Sequence, residues 1–195
     1  MISEFRLENL GGMKEAFDCD GAVVVRGVLE DGLVAEINRH IDWLIERHPE
    51  LRPERLGHRL IAGDPFWVRF LSDERLLDVA EALVGPDVAF FAADYIAKPP
   101  GDGLPVCWHQ DGRYWPLEPM EVVTVWFAAT PSTRKNGCVQ VIPGSHRLGP
   151  LPHVPEEGRP GLLSLTADPG LFDESRAVHL ELSPGDVSVH HPLLL

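Results

Sequence analysis

The sequence predicts an α+β fold in which helices come first and then pack on one face of an antiparallel sandwich or barrel. Three observations carry that expectation. Apolar residues recur at helical spacing before residue 87, and after residue 88 the spacing shortens to two. Turn dipeptides then separate short β-branched and aromatic runs at regular intervals. A chain of 195 residues accommodates one domain with a single substantial core, so 1–87 and 88–195 are expected as two parts of one unit.

In chain order, Ala22-Val23-Val24-Val25 is a β-branched run between Gly21 and Gly27 and reads as a strand. Leu33, Val34, Ile37, Ile41 and Leu44 then mark a helix that Asp31 is placed to cap. Leu76, Leu77, Ala80, Leu83 and Val84 mark another, opened by Ser72 and stopped by Gly85-Pro86. Strand-like runs follow at 88–97, 121–129, 138–142, 177–182 and 186–191. Pro99-Pro100-Gly101, Asn136-Gly137, Pro143-Gly144 and Pro184-Gly185 separate them. The Pro- and Gly-rich stretch 150–175 reads as a long surface loop.

Composition narrows the function classes. The formal net charge is −13, and only 3 of 17 basic residues are lysines, none in a run. Clustered cations are what phosphate backbones and anionic membranes require, so neither nucleic acid nor a membrane is an expected partner. Cys19, Cys107 and Cys138 are odd in number and lack a CxxC spacing, which argues against a disulfide framework and a zinc ribbon. The opening MISEFRLENLGG has neither the basic start nor the apolar run of a signal peptide, and the expected location is the cytoplasm.

The stretch WHQDGRYWP holds a His-x-Asp pair, His109 and Asp111. With 9 histidines in the chain, chance supplies about one such match, and there are two, because His40-Ile41-Asp42 also fits. Local structure separates them. On a helix, i and i+2 side chains diverge, so His40 is expected as a solvated helix residue. On an extended segment they share a face, so His109 and Asp111 are able to bind one metal ion. The same residues also suit a plain turn at Asp111-Gly112 with His109 closing a strand. A metal reading needs a second histidine, as in the two-histidine, one-carboxylate set of non-haem Fe(II) oxygenases.

WHQDGRYWP, EVVTVWFAA, KNGCVQVIPGSHRLGP and PGDVSVHHPLLL, in that order, together resemble the phytanoyl-CoA dioxygenase family. AFDCDGAVVVRGVL and FFAADYIAKPP fit the same pattern, so the resemblance covers nearly the whole chain. It implies an Fe(II)- and 2-oxoglutarate-dependent dioxygenase on a double-stranded β-helix (jelly-roll) core, hydroxylating a small organic substrate with O2. His109 and Asp111 would be metal ligands, while Lys98, Gln110 and Trp126 would border the 2-oxoglutarate cosubstrate. Retention of Asp111 favours hydroxylation, since halogenating relatives replace that carboxylate. Lys98 also suits a solvated strand end and Trp126 plain core. Asn136-Gly137 and Pro143-Gly144 suit turns, and His146 is expected to cap the second of these. Tyr114, Trp115 and Trp67 offer aromatic surface for a substrate.

The family pattern continues past PLLL into a third histidine ligand and a 2-oxoglutarate-binding arginine, and this sequence ends at Leu195. The expectation is therefore a fragment without its last core strands, inactive by itself, with Leu193, Leu194 and Leu195 exposed. Neither neighbouring histidine is an obvious substitute. In a 186–191 strand, His191 shares a face with Val187 and Val189, and His190 with Asp186 and Ser188. A non-catalytic jelly-roll binding module and a cupin-like metalloprotein remain the alternatives.

Overall fold

A computed structural model describes residues 1–57, 63–157 and 161–195. Helices α1 (Met13–Asp20), α2 (Asp31–Arg47), α3 (Pro65–Leu71) and α4 (Glu74–Val84) all lie in the first part of the chain. Strands β1 (Glu4–Arg6) and β2 (Ala22–Arg26) interleave with them, and β3 (Thr124–Phe127), β4 (Gln140–Val141), β5 (His153–Pro155), β6 (Leu165–Ala167), β7 (Val178–His179) and β8 (Val187–His190) follow. The two parts share one sheet, ordered β1-β2-β8-β3, so residue 87 divides composition and not architecture.

That sheet has a core on each side, because successive side chains point to opposite faces. Val23 and Val25 of β2, Val187 and Val189 of β8, and Val125 and Phe127 of β3 face the helices. There they meet Val34, Ile37, Ile41 and Leu44 of α2 and Leu76, Val79 and Leu83 of α4. Fully burying one such side chain contributes roughly 1.5–3 kcal/mol. The opposite face carries Ala22 and Val24, then Ser188 and His190, then Thr124 and Trp126, in register across three strands. Residues of the β4–β7 pair and Leu180, Leu182 and Leu194 cover the apolar part of it.

The helix limits differ slightly from the sequence expectation. Asp31 is the first residue of α2, and Glu30 precedes it as the cap. Asp73, not Ser72, caps α4 by accepting the Arg75 amide, whereas the Ser72 hydroxyl bonds back to Val68 O. Gly85 closes α4 as expected. Helix α3 was not anticipated, although Asp64-Pro65 is a cap followed by proline at the first helical position.

Four other expectations are corrected. Among the described residues no strand includes 88–97, although Ala93, Tyr95 and Ala97 alternate with more exposed neighbours. The 150–175 stretch contains the β5–β6 hairpin rather than only loop, although its residues 158–160 lie outside the described residues. His40 is not a solvated side chain. It bonds Asp64 through Nδ1 and stacks on Phe66 with ring centroids 3.9 Å apart, tying α2 to α3. Leu194 and Leu195 are buried, at 5% and 3% exposure, where Leu195 joins Ile142 and Ala167.

The PGD turn before β8 shows why those residue types stand there. Gly185 has φ +86°, and a Cβ would collide with the Leu29 carbonyl oxygen. The buried Asp186 carboxylate accepts from the amides of Gly27 at 2.8 Å and Ser183 at 2.9 Å, and from Arg26 Nη1 at 2.7 Å. Arg26 also holds Glu4, so one guanidinium joins β1, β2 and the β8 turn.

Candidate metal centre

Residues 105–110 run beside β6 and leave it at a tight turn. The amide of Ala167 and the hydroxyl of Thr166 both donate to Trp108 O, at 2.7 and 3.0 Å. Gln110 is extended (φ −114°, ψ 124°), and Asp111–Tyr114 then forms a 3-10 turn. The stretch 109–111 is thus an extended segment that ends at Asp111. The extension suffices to put the His109 and Asp111 side chains on one side and Gln110 on the other.

His109 donates from Nδ1 to Cys107 O at 2.8 Å, because a carbonyl only accepts. Its Nε2 therefore faces Asp111 Oδ1, 3.2 Å away. The second carboxylate oxygen, Oδ2, accepts the Thr124 hydroxyl at 2.8 Å and lies 3.2 Å from His190 Nε2. Thr124 and His190 are register partners on β3 and β8, so the sheet delivers both to the same oxygen.

Electrostatics follow from this arrangement. Burial disfavours the Asp111 carboxylate, but hydrogen bonds and charge from His109 and His190 outweigh it and hold Asp111 well below the usual carboxylate range. Burial likewise disfavours an imidazolium at His109. Asp111 and the Cys107 carbonyl outweigh it and raise His109 above its ordinary value.

His109 Nε2 and Asp111 Oδ1 are two electron-pair donors held close, which requires a proton or a cation between them. Two ligands about 2.1 Å from one ion, at right angles, stand about 3 Å apart, so this pair fits a metal ion without rearrangement. The Cys107 carbonyl is the kind of outer partner that fixes a ligating imidazole. Among the described residues no three His, Cys, Asp or Glu side chains converge on one ion position. His190 supplies a second imidazole but turns it to the other carboxylate oxygen. Two buried polar atoms on this face of β8, Ser188 Oγ and His190 Nδ1, have no hydrogen-bond partner among the described residues.

The remaining residues singled out in the sequence separate. Gln110 is 1% exposed, and its side chain is fully engaged: Nε2 donates to Gly149 O and Leu193 O, and Oε1 accepts the Leu151 amide. Trp126 lies on the Thr124 side of β3, opposite Ser188, and packs against the second core. Lys98 is exposed, with its ammonium 3.2 Å from Gly137 O. His191 leaves the sheet: its amide bonds Gly21 O and its ring lies beside His146 and Phe17. His146 does not cap its own turn but bonds Asp18 O at 3.1 Å, at the end of α1. Tyr114 stands at the site and Trp115 packs against Phe91, whereas Trp67 is 1% exposed in the helical core and offers no surface.

Sequence reasoning missed Thr124 and His153 and did not favour His190 over His191. A signal was available for two of them. The alternation in TVWF and VSVH puts Thr124 and His190 on the polar, non-helical face of their strands.

Comparison with known proteins agrees with this architecture. The family model for phytanoyl-CoA dioxygenase (PhyH) matches residues 17–195. Human peroxisomal phytanoyl-CoA dioxygenase is 31% identical over 132 residues, 65% of this chain and 39% of that protein. A probable phytanoyl-CoA dioxygenase of Caenorhabditis elegans is 31% identical over 142 residues, 69% of this chain and 46% of that protein. The matched region thus spans less than half the length of these curated relatives. EvdO2 of Micromonospora carbonacea var. aurantiaca, crystallised with 2-oxoglutarate, superposes with a TM-score of 0.68 at 25% identity. That superposition covers 93% of this chain and 80% of EvdO2. The chain belongs to the phytanoyl-CoA dioxygenase (PhyH) family.

Proposed function

We propose that this chain is an Fe(II)- and 2-oxoglutarate-dependent dioxygenase that hydroxylates a small organic substrate and releases succinate from 2-oxoglutarate. The observation that carries the reading is the His109 Nε2 to Asp111 Oδ1 pair, 3.2 Å apart on a segment clamped to β6. His109 and Asp111 would hold the iron. Bound iron would supply oxygen activation, and 2-oxoglutarate the two further electrons that hydroxylation with O2 requires. Thr124 keeps Asp111 Oδ2 occupied, which leaves Oδ1 to face the ion. On this reading the two cores around the central sheet belong to a jelly-roll barrel, and Trp126 walls the cosubstrate from the Thr124 side. Lys98 and Gln110 enter the cosubstrate set on the family resemblance alone. Tyr114, 45% exposed and 6.4 Å from the rings of both His109 and His153, offers the substrate an aromatic surface.

The test is anaerobic Fe(II) titration with and without 2-oxoglutarate, followed by succinate release in air. The wild type should take up iron and develop a 2-oxoglutarate-dependent visible band, and Asp111→Ala should lose both; succinate from the wild type would overturn the expectation that the chain is inactive by itself. Iron uptake without the band would favour a cupin-like metalloprotein, and no uptake a binding module.

A further inference from the structure

His153 opens β5, far from the His-x-Asp stretch in sequence, and its two ring nitrogens have defined roles. The Gln110 backbone amide donates to Nε2 at 3.2 Å, and Nδ1 lies 3.0 Å from Leu151 O. An amide only donates and a carbonyl only accepts, so Nε2 carries the lone pair and Nδ1 the proton. His153 is therefore neutral, in a single tautomer. The contacts close into a ring, since the Leu151 amide donates at 2.8 Å to Oε1 of the same Gln110. Gln110 Nε2 holds the loop again at Gly149 O, 3.0 Å away.

From this ring we infer that His153 is a positioning residue for the metal pair: by accepting the Gln110 amide it fixes the residue that joins His109 to Asp111. The inference rests on the metal reading proposed above. Gln110 is the only residue between the two ligands, so any rotation of its backbone moves Nε2 of one away from Oδ1 of the other. The β5–β6 hairpin gives His153 a firm base, because His153 pairs with Ala167, whose own amide holds Trp108 O at 2.7 Å. Both sides of the ligand segment are thus anchored to one hairpin. The Tyr114 ring lies against His153, at 6.4 Å between centroids, and helps set its plane.

Two substitutions separate positioning from bulk structure. In His153→Gln the amide oxygen falls where Nε2 stood and accepts the Gln110 amide, but the bond to Leu151 O is lost. In His153→Asn the donor to Leu151 O survives and the acceptor is lost. Cobalt(II) titration of the full 195-residue chain is the readout, with amide hydrogen exchange at Gln110 measured on the metal-free protein. His153→Asn should weaken cobalt binding about 10–100-fold and expose the Gln110 amide to exchange, while His153→Gln stays within about threefold of wild type. Equal affinity in wild type and His153→Asn, or a Gln variant as weak as the Asn variant, overturns the inference. If His153→Asn does not fold, His153→Gln decides alone: near-wild-type affinity supports the inference, and a tenfold loss overturns it. A wild type that takes up no cobalt overturns the metal reading and this inference with it. In that case Gln110 exchange still shows whether the hydrogen bond itself forms.

Discussion

Oδ2 of Asp111 lies 3.2 Å from Nε2 of His190, a residue 79 positions away in the sequence. That contact leaves Oδ1 alone to face His109, and Thr124 reinforces it from the neighbouring strand. A carboxylate bonded on one oxygen and open on the other is oriented to bind an ion through a single atom. The first prediction follows.

Thr124→Val removes the hydroxyl donor and keeps the shape. Asp111 is then free to rotate, and cobalt or iron affinity should fall about tenfold, as for other outer partners of ligands. Thr124→Ser should retain affinity. Calorimetric metal titration checks both, and a valine variant with unchanged affinity would show that His190 orients Asp111 unaided.

Lys98→Met tests the cosubstrate assignment. If the ammonium pairs with 2-oxoglutarate, the Kd for 2-oxoglutarate read from the visible band of the iron-loaded protein should rise about tenfold, the scale of one charged hydrogen bond. An unchanged Kd would leave Lys98 with its bond to Gly137 O, bracing the turn before β4.

Acid should release a second lock. Glu54 is buried, bonds Arg52 and accepts the Leu104 amide at 3.0 Å. Burial pushes its carboxyl up, but Arg52 and Leu104 outweigh that, and the group sits below its ordinary value of 4.5. A lowered carboxyl favours the folded state when ionised. Its contribution is complete above pH 4.5 and disappears as pH falls through the lower folded-state value. Glu54→Gln should reduce stability at neutral pH by about 1–3 kcal/mol and flatten its fall in acid. Urea unfolding at several pH values measures both, and parallel wild-type and variant curves would contradict the assignment.

Asp186→Asn should be among the more damaging changes outside the site. It places an amide group among three donors that now converge on a carboxylate, from Gly27, Ser183 and Arg26. A loss of about 2–4 kcal/mol is expected by chemical denaturation. A loss below about 0.5 kcal/mol, the range of ordinary surface substitutions, would show that the turn holds without the charge.

What the sequence determined by itself is whatever neighbours within one turn or one pleat decide. The 3.6-residue period marked α2 and α4, with Gly85 ending the latter, a β-branched run between glycines marked β2, and the i, i+2 geometry of an extended chain brought His109 and Asp111 together. Only the tertiary structure decided which distant groups met them. The same alternation that put His191 with Val187 and Val189 made it look buried near a site. The sheet, however, has a core on both faces, and it was His190, on the polar face with Ser188, that reached Asp111. His40 looked solvated because its helix position carries no information about Asp64 and Phe66, which arrive from another segment. Residues 88–97 have the alternation of a strand, but the period alone does not carry strand pairing and register, which packing across the whole chain sets.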